Sequence, residues 1–373
     1  MLLTLFAIFG MLVRACIPPF NGVRYLDNAT LLDEAVAQMG LYLQTGGATI
    51  VGGMGPARNL PAGDPGQTFI IPYCMADQYS ESHLAGIMEK AWNLWFKKLG
   101  TPAASTGHRL GGFWHVINNG KLQRCFTDYK NKIWNPLGPA ETLVVDASVT
   151  HSLRGMSTAT LDYIPDSCPA VHRHRMDTGY YYGIPEDYTA WLTAHEKGHV
   201  FGLIYELSRE DRDHHDHFEC KNLEDCDQVV ARLKANSIPN VDIDTICGSQ
   251  IWGHVSQFDE IGFAAPAFST LPFMDPYHKD KGGNPNGDKH PYTVPHSNDY
   301  DMMSIMQYAS VDFIKQGNRF DVYSVPLVQW NHSGPNVTPP KEVTEDNALI
   351  IIAWDKLSTD DVDMIKSIYP YVG

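Results

Sequence analysis

The stretch Thr193-Ala194-His195-Glu196-Lys197-Gly198-His199-Val200-Phe201-Gly202 decides how the rest of this chain is read. His195 and His199 are four residues apart, so on a helix both imidazoles leave the same face and can converge on one ion. Glu196 lies one residue round, within reach of a water held by such an ion, where a carboxylate serves as general base. The helix is predicted from its ends. Pro185-Glu186-Asp187 puts proline early and acids in the first turn. Tyr188, Trp191, Leu192, His195 and His199 follow at helical spacing, and Gly202 stops the run.

Toward the N-terminus, Phe69-Ile70-Ile71-Pro72-Tyr73-Cys74-Met75 reads as a strand, and Pro72 places it at a sheet edge. Ser80 to Gly100 is an amphipathic helix with Ile87, Ala91, Leu94 and Trp95 on one face and Lys97, Lys98 and Gly100 at its end. Residues 113–117 and 142–146 are predicted to be further strands. The region from Tyr205 to Tyr300 is rich in Asp, Asn, His, Pro and Gly and reads as loops with short elements, pinned by Cys220, Cys226 and Cys247. Ser358-Thr359-Asp360-Asp361 resembles a capping box opening a helix that carries Val362, Ile365 and Tyr369 inward.

Composition sets the compartment and excludes two classes. The chain has 373 residues, 28 Lys+Arg against 43 Asp+Glu and a net charge of −15. A nucleic-acid partner would need a basic footprint, and no apolar run approaches the ~20 residues of a membrane span. Residues 1–16 read as a secretory signal peptide, cleaved after Ala15 or Cys16; a buried N-terminal strand or helix is the alternative. Residues 17–66 combine a helical stretch at 31–43 with a Gly/Pro-rich tail and suit a pro-segment or linker. Cleavage after Cys16 leaves Cys74, Cys125, Cys168, Cys220, Cys226 and Cys247, an even set that suggests three disulfides. Acceptor sequons start at Asn28, Asn331 and Asn336, the last followed by Pro339. Together these point to a secreted, extracellular protein.

The run from His195 through Leu223 resembles the signature of astacin-like metallopeptidases, members of the metzincin clan. A second stretch, Tyr300-Asp301-Met302-Met303-Ser304-Ile305-Met306-Gln307-Tyr308, is similar to that family's Met-turn. The opening Ile71-Pro72-Tyr73 and the closing Leu357-Ser358 with Asp361-Val362 also match, so the likeness spans about residues 67–373 in order. It implies an α+β, two-lobed metzincin-type domain. The N-terminal lobe would hold a twisted mixed sheet and the long active-site helix, and the C-terminal lobe would be loop-rich, with an insertion near 207–300. The implied function is a secreted Zn²⁺-dependent endopeptidase acting on protein or peptide substrates. His195 and His199 would hold zinc, Glu196 would be the base and Tyr308 would assist at the oxyanion or the metal. Glu206 would pair with the amine released by pro-segment removal, and Gly63-Asp64 offers the pair with which a pro-segment blocks zinc, although its place almost on the opening strand suits a turn better.

Two positions depart from the family pattern: Tyr205 stands where the third zinc histidine is expected, and Gln307 replaces the usual Met-turn histidine. Tyr205 can ligate only as phenolate, from a reference pKa of about 10 that the ion must lower. The residues leave other readings open. Asp213 or a histidine of the His214-His215-Asp216-His217 cluster can complete the shell, and Glu219 offers a thermolysin-like third ligand. With a weak or absent metal, the chain is a catalytically silent, protease-shaped binding protein. Oligomeric state is not legible.

Overall fold

The computed structural model describes residues 68–147, 157–160, 174–179, 185–209, 211–224, 226–236, 243–247, 265–268, 270, 299–315, 317–334, 336–352 and 356–371. The expected signal peptide and pro-segment, Asn28, Gly63-Asp64, Cys168 and much of the 207–300 region lie outside them.

The chain is α+β. In order, the described elements are β1 (Phe69–Met75), α1 (Gln78–Leu99), β2 (Leu110–His115), β3 (Ile117–Asn118), β4 (Lys121–Leu122), β5 (Phe126–Asp128) and β6 (Ile133–Trp134). There follow β7 (Leu143–Asp146), β8 (Thr158–Ala159), β9 (Arg175–Asp177), α2 (Glu186–Phe201), β10 (Asp216–Phe218), α3 (Cys226–Asn236) and α4 (Ile243–Cys247). The last are β11 (Leu327–Trp330), β12 (Ala348–Ile350) and α5 (Thr359–Ile368). A five-stranded sheet runs β2-β1-β7-β9-β8, parallel except for β8, and an antiparallel sheet of three runs β10-β11-β12. No described helix is long and apolar enough to cross a membrane.

β1 is an inner strand, so the edge position expected from Pro72 is corrected. Phe69 N–H bonds Arg109 O on the β2 side, and Ala76 N–H bonds Val145 O on the β7 side. Pro72 shares the parity of Ala76, so its missing N–H faces β7, where pairing starts only at Tyr73. The strand expected at 113–117 is also displaced, to Leu110–His115. Gly112 has φ +95°, and a Cβ there would lie 2.5 Å from the Trp92 ring, so the backbone needs glycine where β propensity reads a break.

α1 begins at Asp77, whose carboxylate accepts Ser80 N–H, and ends at Gly100. It buries Leu84, Ile87, Met88, Ala91, Trp95 and Leu99, close to the expected face. Two cores result. One joins the large sheet, α1, α2 and α5 around Ile71, Trp95, Phe201, Ile305, Met306 and Ile365. The other gathers Tyr205, Leu207, Leu223, Phe268, Tyr308, Phe313 and Leu327. The segment 304–308 therefore belongs to both. Disulfide Cys220–Cys247 packs against the second of these, and Cys74–Cys125 lies in a smaller cluster with Phe126 and Val144.

Candidate metal centre

α2 is buried between the two cores. Ala190, Ala194, Val200 and Phe201 pack inward, and Trp95 Nε1 donates to Ala194 O at 2.9 Å. Lys197 is fully buried with its Nζ 3.4 Å from the centre of the Phe113 ring, and burial pushes its ammonium well below the usual range. Gly202 stops the helix in the left-handed region at φ +106°, and Leu203 N–H returns to Gly198 O. That reversal brings Tyr205 back across His199.

His195 and His199 are 4% and 2% exposed, with ring centroids 5.0 Å apart. His195 Nδ1 meets Ile305 O at 2.6 Å, and His199 Nδ1 meets Leu203 O at 2.8 Å. A carbonyl only accepts, so each Nδ1 carries the proton and each Nε2 presents its lone pair. Neither Nε2 has a hydrogen-bond partner among the described residues. Burial keeps both rings neutral, pushing His195 down to about 4 and His199 well below its usual value. Two neutral, carbonyl-oriented imidazoles with unpartnered inner nitrogens are what a divalent transition ion requires of its histidine ligands.

Two tyrosines close around the histidine pair. The Tyr205 ring lies 4.5 Å from that of His199 and 5.8 Å from that of His195; the Tyr308 ring is 4.8 Å from Tyr205, and the two hydroxyls share a hydrogen bond. Burial pushes both phenols well above their usual range. Glu196 is fully buried beside them, and desolvation raises its carboxyl well above the usual carboxylate range. Trp191 and Tyr188, stacked at 5.9 Å, extend the helix face one and two turns upstream of His195.

The alternative donors go elsewhere. Asp213 pairs with Arg212 at 2.7 Å, His214 Nδ1 meets Val337 O at 2.9 Å, and His215 stacks on Tyr300 at 4.5 Å. His217 packs on Trp330, and Glu219 pairs with Lys221 at 2.6 Å. Among the described residues no three His, Cys, Asp or Glu side chains gather around one point. Glu206 accepts from Arg209 at 3.0 Å and from Asp301 N–H at 2.8 Å, and burial raises it to about 7. Its expected N-terminal partner lies outside the described residues.

Met306 lies beneath the helix at its glycine. A Cβ on Gly198 would sit 2.6 Å from Met306 Sδ, closer than such atoms approach. Gly198→Ala is therefore expected to displace Met306 and lower stability by about 1–3 kcal/mol, read as a fall in thermal midpoint. An unchanged midpoint would show that the methionine is loosely held.

Gln307, the departure from the family's Met-turn pattern, donates to Asp216 Oδ2 at 2.8 Å, and Tyr300 Oη donates to the same oxygen at 2.7 Å. Burial nonetheless raises Asp216 to about 7. A raised carboxyl favours the fold fully below its unfolded pKa near 4, and that contribution disappears as pH rises through about 7. The span corresponds to about 4 kcal/mol at most. Asp216→Asn keeps an acceptor for both donors, so urea unfolding should lose this slope and the variant should be the more stable at pH 8. Parallel pH profiles for the two proteins would refute it.

No family model matches this chain, and no curated protein does. Among solved structures it is similar to high choriolytic enzyme 1, a hatching-enzyme zinc protease from the medaka fish Oryzias latipes. The identity is 14%, covering 81% of this chain and 90% of that one, with a TM-score of 0.40. Two structures of myroilysin follow at 13% and 14% identity, covering 82% of this chain and 95% and 87% of theirs, each with a TM-score of 0.35. At such values the functional reading rests on the site's own geometry.

Proposed function

We propose that this chain is a secreted zinc-dependent endopeptidase of astacin-like type. The observation that supports this most is the pair of unpartnered Nε2 atoms of His195 and His199, each ring oriented by a carbonyl and set beside Glu196. His195, His199 and Tyr205 would hold the zinc. When bound there, the ion supplies positive charge that polarises a peptide carbonyl and acidifies a water. Glu196 would be the general base and acid of the site, its carboxylate accepting a proton from the attacking water and returning it to the departing amine. Its burial favours the protonated form, which suits the second of these tasks. Tyr308 would donate its hydroxyl to the developing oxyanion or serve as a further ligand to the ion. The disulfides and the apolar start of the chain support export.

One observation favours a second reading, a silent binding module: the Tyr205 hydroxyl is already engaged in a hydrogen bond to that of Tyr308. Zinc stoichiometry of purified full-length protein, before and after chelator, separates the two. One tightly bound zinc with chelator-sensitive cleavage of a denatured protein substrate is expected. Cleavage that survives metal removal, or a protein that takes up no zinc, would overturn the enzyme reading.

A further inference from the structure

Asp361 does more than an N3 carboxylate needs to. In a capping box that group accepts the N-cap N–H, as Asp361 Oδ2 does from Ser358 N at 3.0 Å, while Ser358 Oγ accepts Asp361 N–H at 2.9 Å. Such carboxylates ordinarily face water, yet Asp361 is only 4% exposed. The same Oδ2 accepts Ile305 N–H at 2.9 Å, and Oδ1 accepts Ser304 Oγ at 2.6 Å. Ser304 Oγ in turn accepts Met306 N–H at 3.0 Å. Both peptide groups flanking Ile305 are thus held by one carboxylate, the first directly and the second through the serine hydroxyl. The carbonyl of that second peptide receives His195 Nδ1.

We propose that Asp361 is a positioning residue for His195, acting through the Ser304 hydroxyl and the Ile305–Met306 peptide to fix which ring nitrogen carries the proton. The groups form a polarised chain: His195 Nδ1–H to Ile305 O, Met306 N–H to Ser304 Oγ, Ser304 O–H to Asp361 Oδ1. Each donor strengthens the next, and the carboxylate at the end makes the Ile305 carbonyl a better acceptor. The arrangement does across one peptide what a carboxylate does when it orients a ligating histidine directly. Its importance for zinc rests on the metal-binding reading above; its effect on the ring does not.

Asp361→Asn preserves volume but presents an amide NH₂ to donors that need an acceptor. Nitrogen NMR of metal-free full-length protein with labelled histidine, His195 being assigned by its loss in His195→Gln, reads the tautomer directly. The native protein is expected to show one Nδ1–H form, and Asp361→Asn a mixture with Nε2–H. Ser304→Ala, which cuts only the hydroxyl link, should shift the ring in the same direction and decides the matter if Asp361→Asn fails to fold. Ser358→Ala removes the cap and lowers the thermal midpoint but should leave the His195 tautomer native. Native tautomers in Asp361→Asn and Ser304→Ala, or an equal shift in Ser358→Ala, would overturn the relay. In zinc titrations Asp361→Asn should bind roughly 10–100-fold more weakly than native protein. Native protein that binds no zinc would defeat the metal reading while leaving the tautomer result to judge Asp361.

Discussion

Glu196→Gln is expected to bind zinc as the native protein does and to lose peptide cleavage by roughly 10²–10⁴-fold, the usual contribution of a positioned general base. Glutamine matches glutamate in shape and removes only the ability to exchange a proton. Glu196 is fully buried on α2 between the two histidines. A neutral amide there avoids the larger cost of burying a carboxylate's charge, so folding should be preserved or improved. Single-turnover cleavage with matched zinc content checks this, and turnover equal to native would sink the role given to Glu196.

The second large effect is expected at Tyr205. A phenol with reference pKa of about 10 must lose its proton to ligate, which costs about 4 kcal/mol at pH 7, whereas a neutral imidazole is ready. Burial of Tyr205 raises that barrier further. Tyr205→His should therefore bind zinc roughly 10- to 10³-fold more tightly, and Tyr205→Phe more weakly than native protein. Competition against a chelator of known affinity measures both. If neither substitution changes zinc affinity, another group already completes the shell.

These expectations come from residues that could be named in the sequence, because α2 carries its own punctuation. Pro185 and Gly202 bound it where the structure does, and the four-residue spacing placed both rings on one face. The capping box at Ser358 was equally legible, with both halves formed. Pairings across long separations were not. Pro72 looked like an edge residue because a sequence does not show on which side pairing has yet to begin. The β10-β11-β12 sheet brings 216–218 against 327–330, a pairing of short strands with no local signature. Asp361 was readable as a cap, but its hold on Ser304 and Ile305 depends on two segments meeting only in the folded chain. The site was legible to the extent that it lies on one helix, and illegible where loops supply the support.

The bond from His195 to Ile305 spans 110 residues, and that from Tyr369 Oη to Phe201 O spans 168. A ribosome adding ~5–20 residues per second leaves about 5–35 s between the synthesis of the histidine pair and of the segments that orient it. Throughout that interval the helix can form from its own ends, but His195 has no carbonyl to choose its protonated nitrogen. On the metal-binding reading, the histidine pair is therefore not fully oriented until the segment carrying Ile305 has been made.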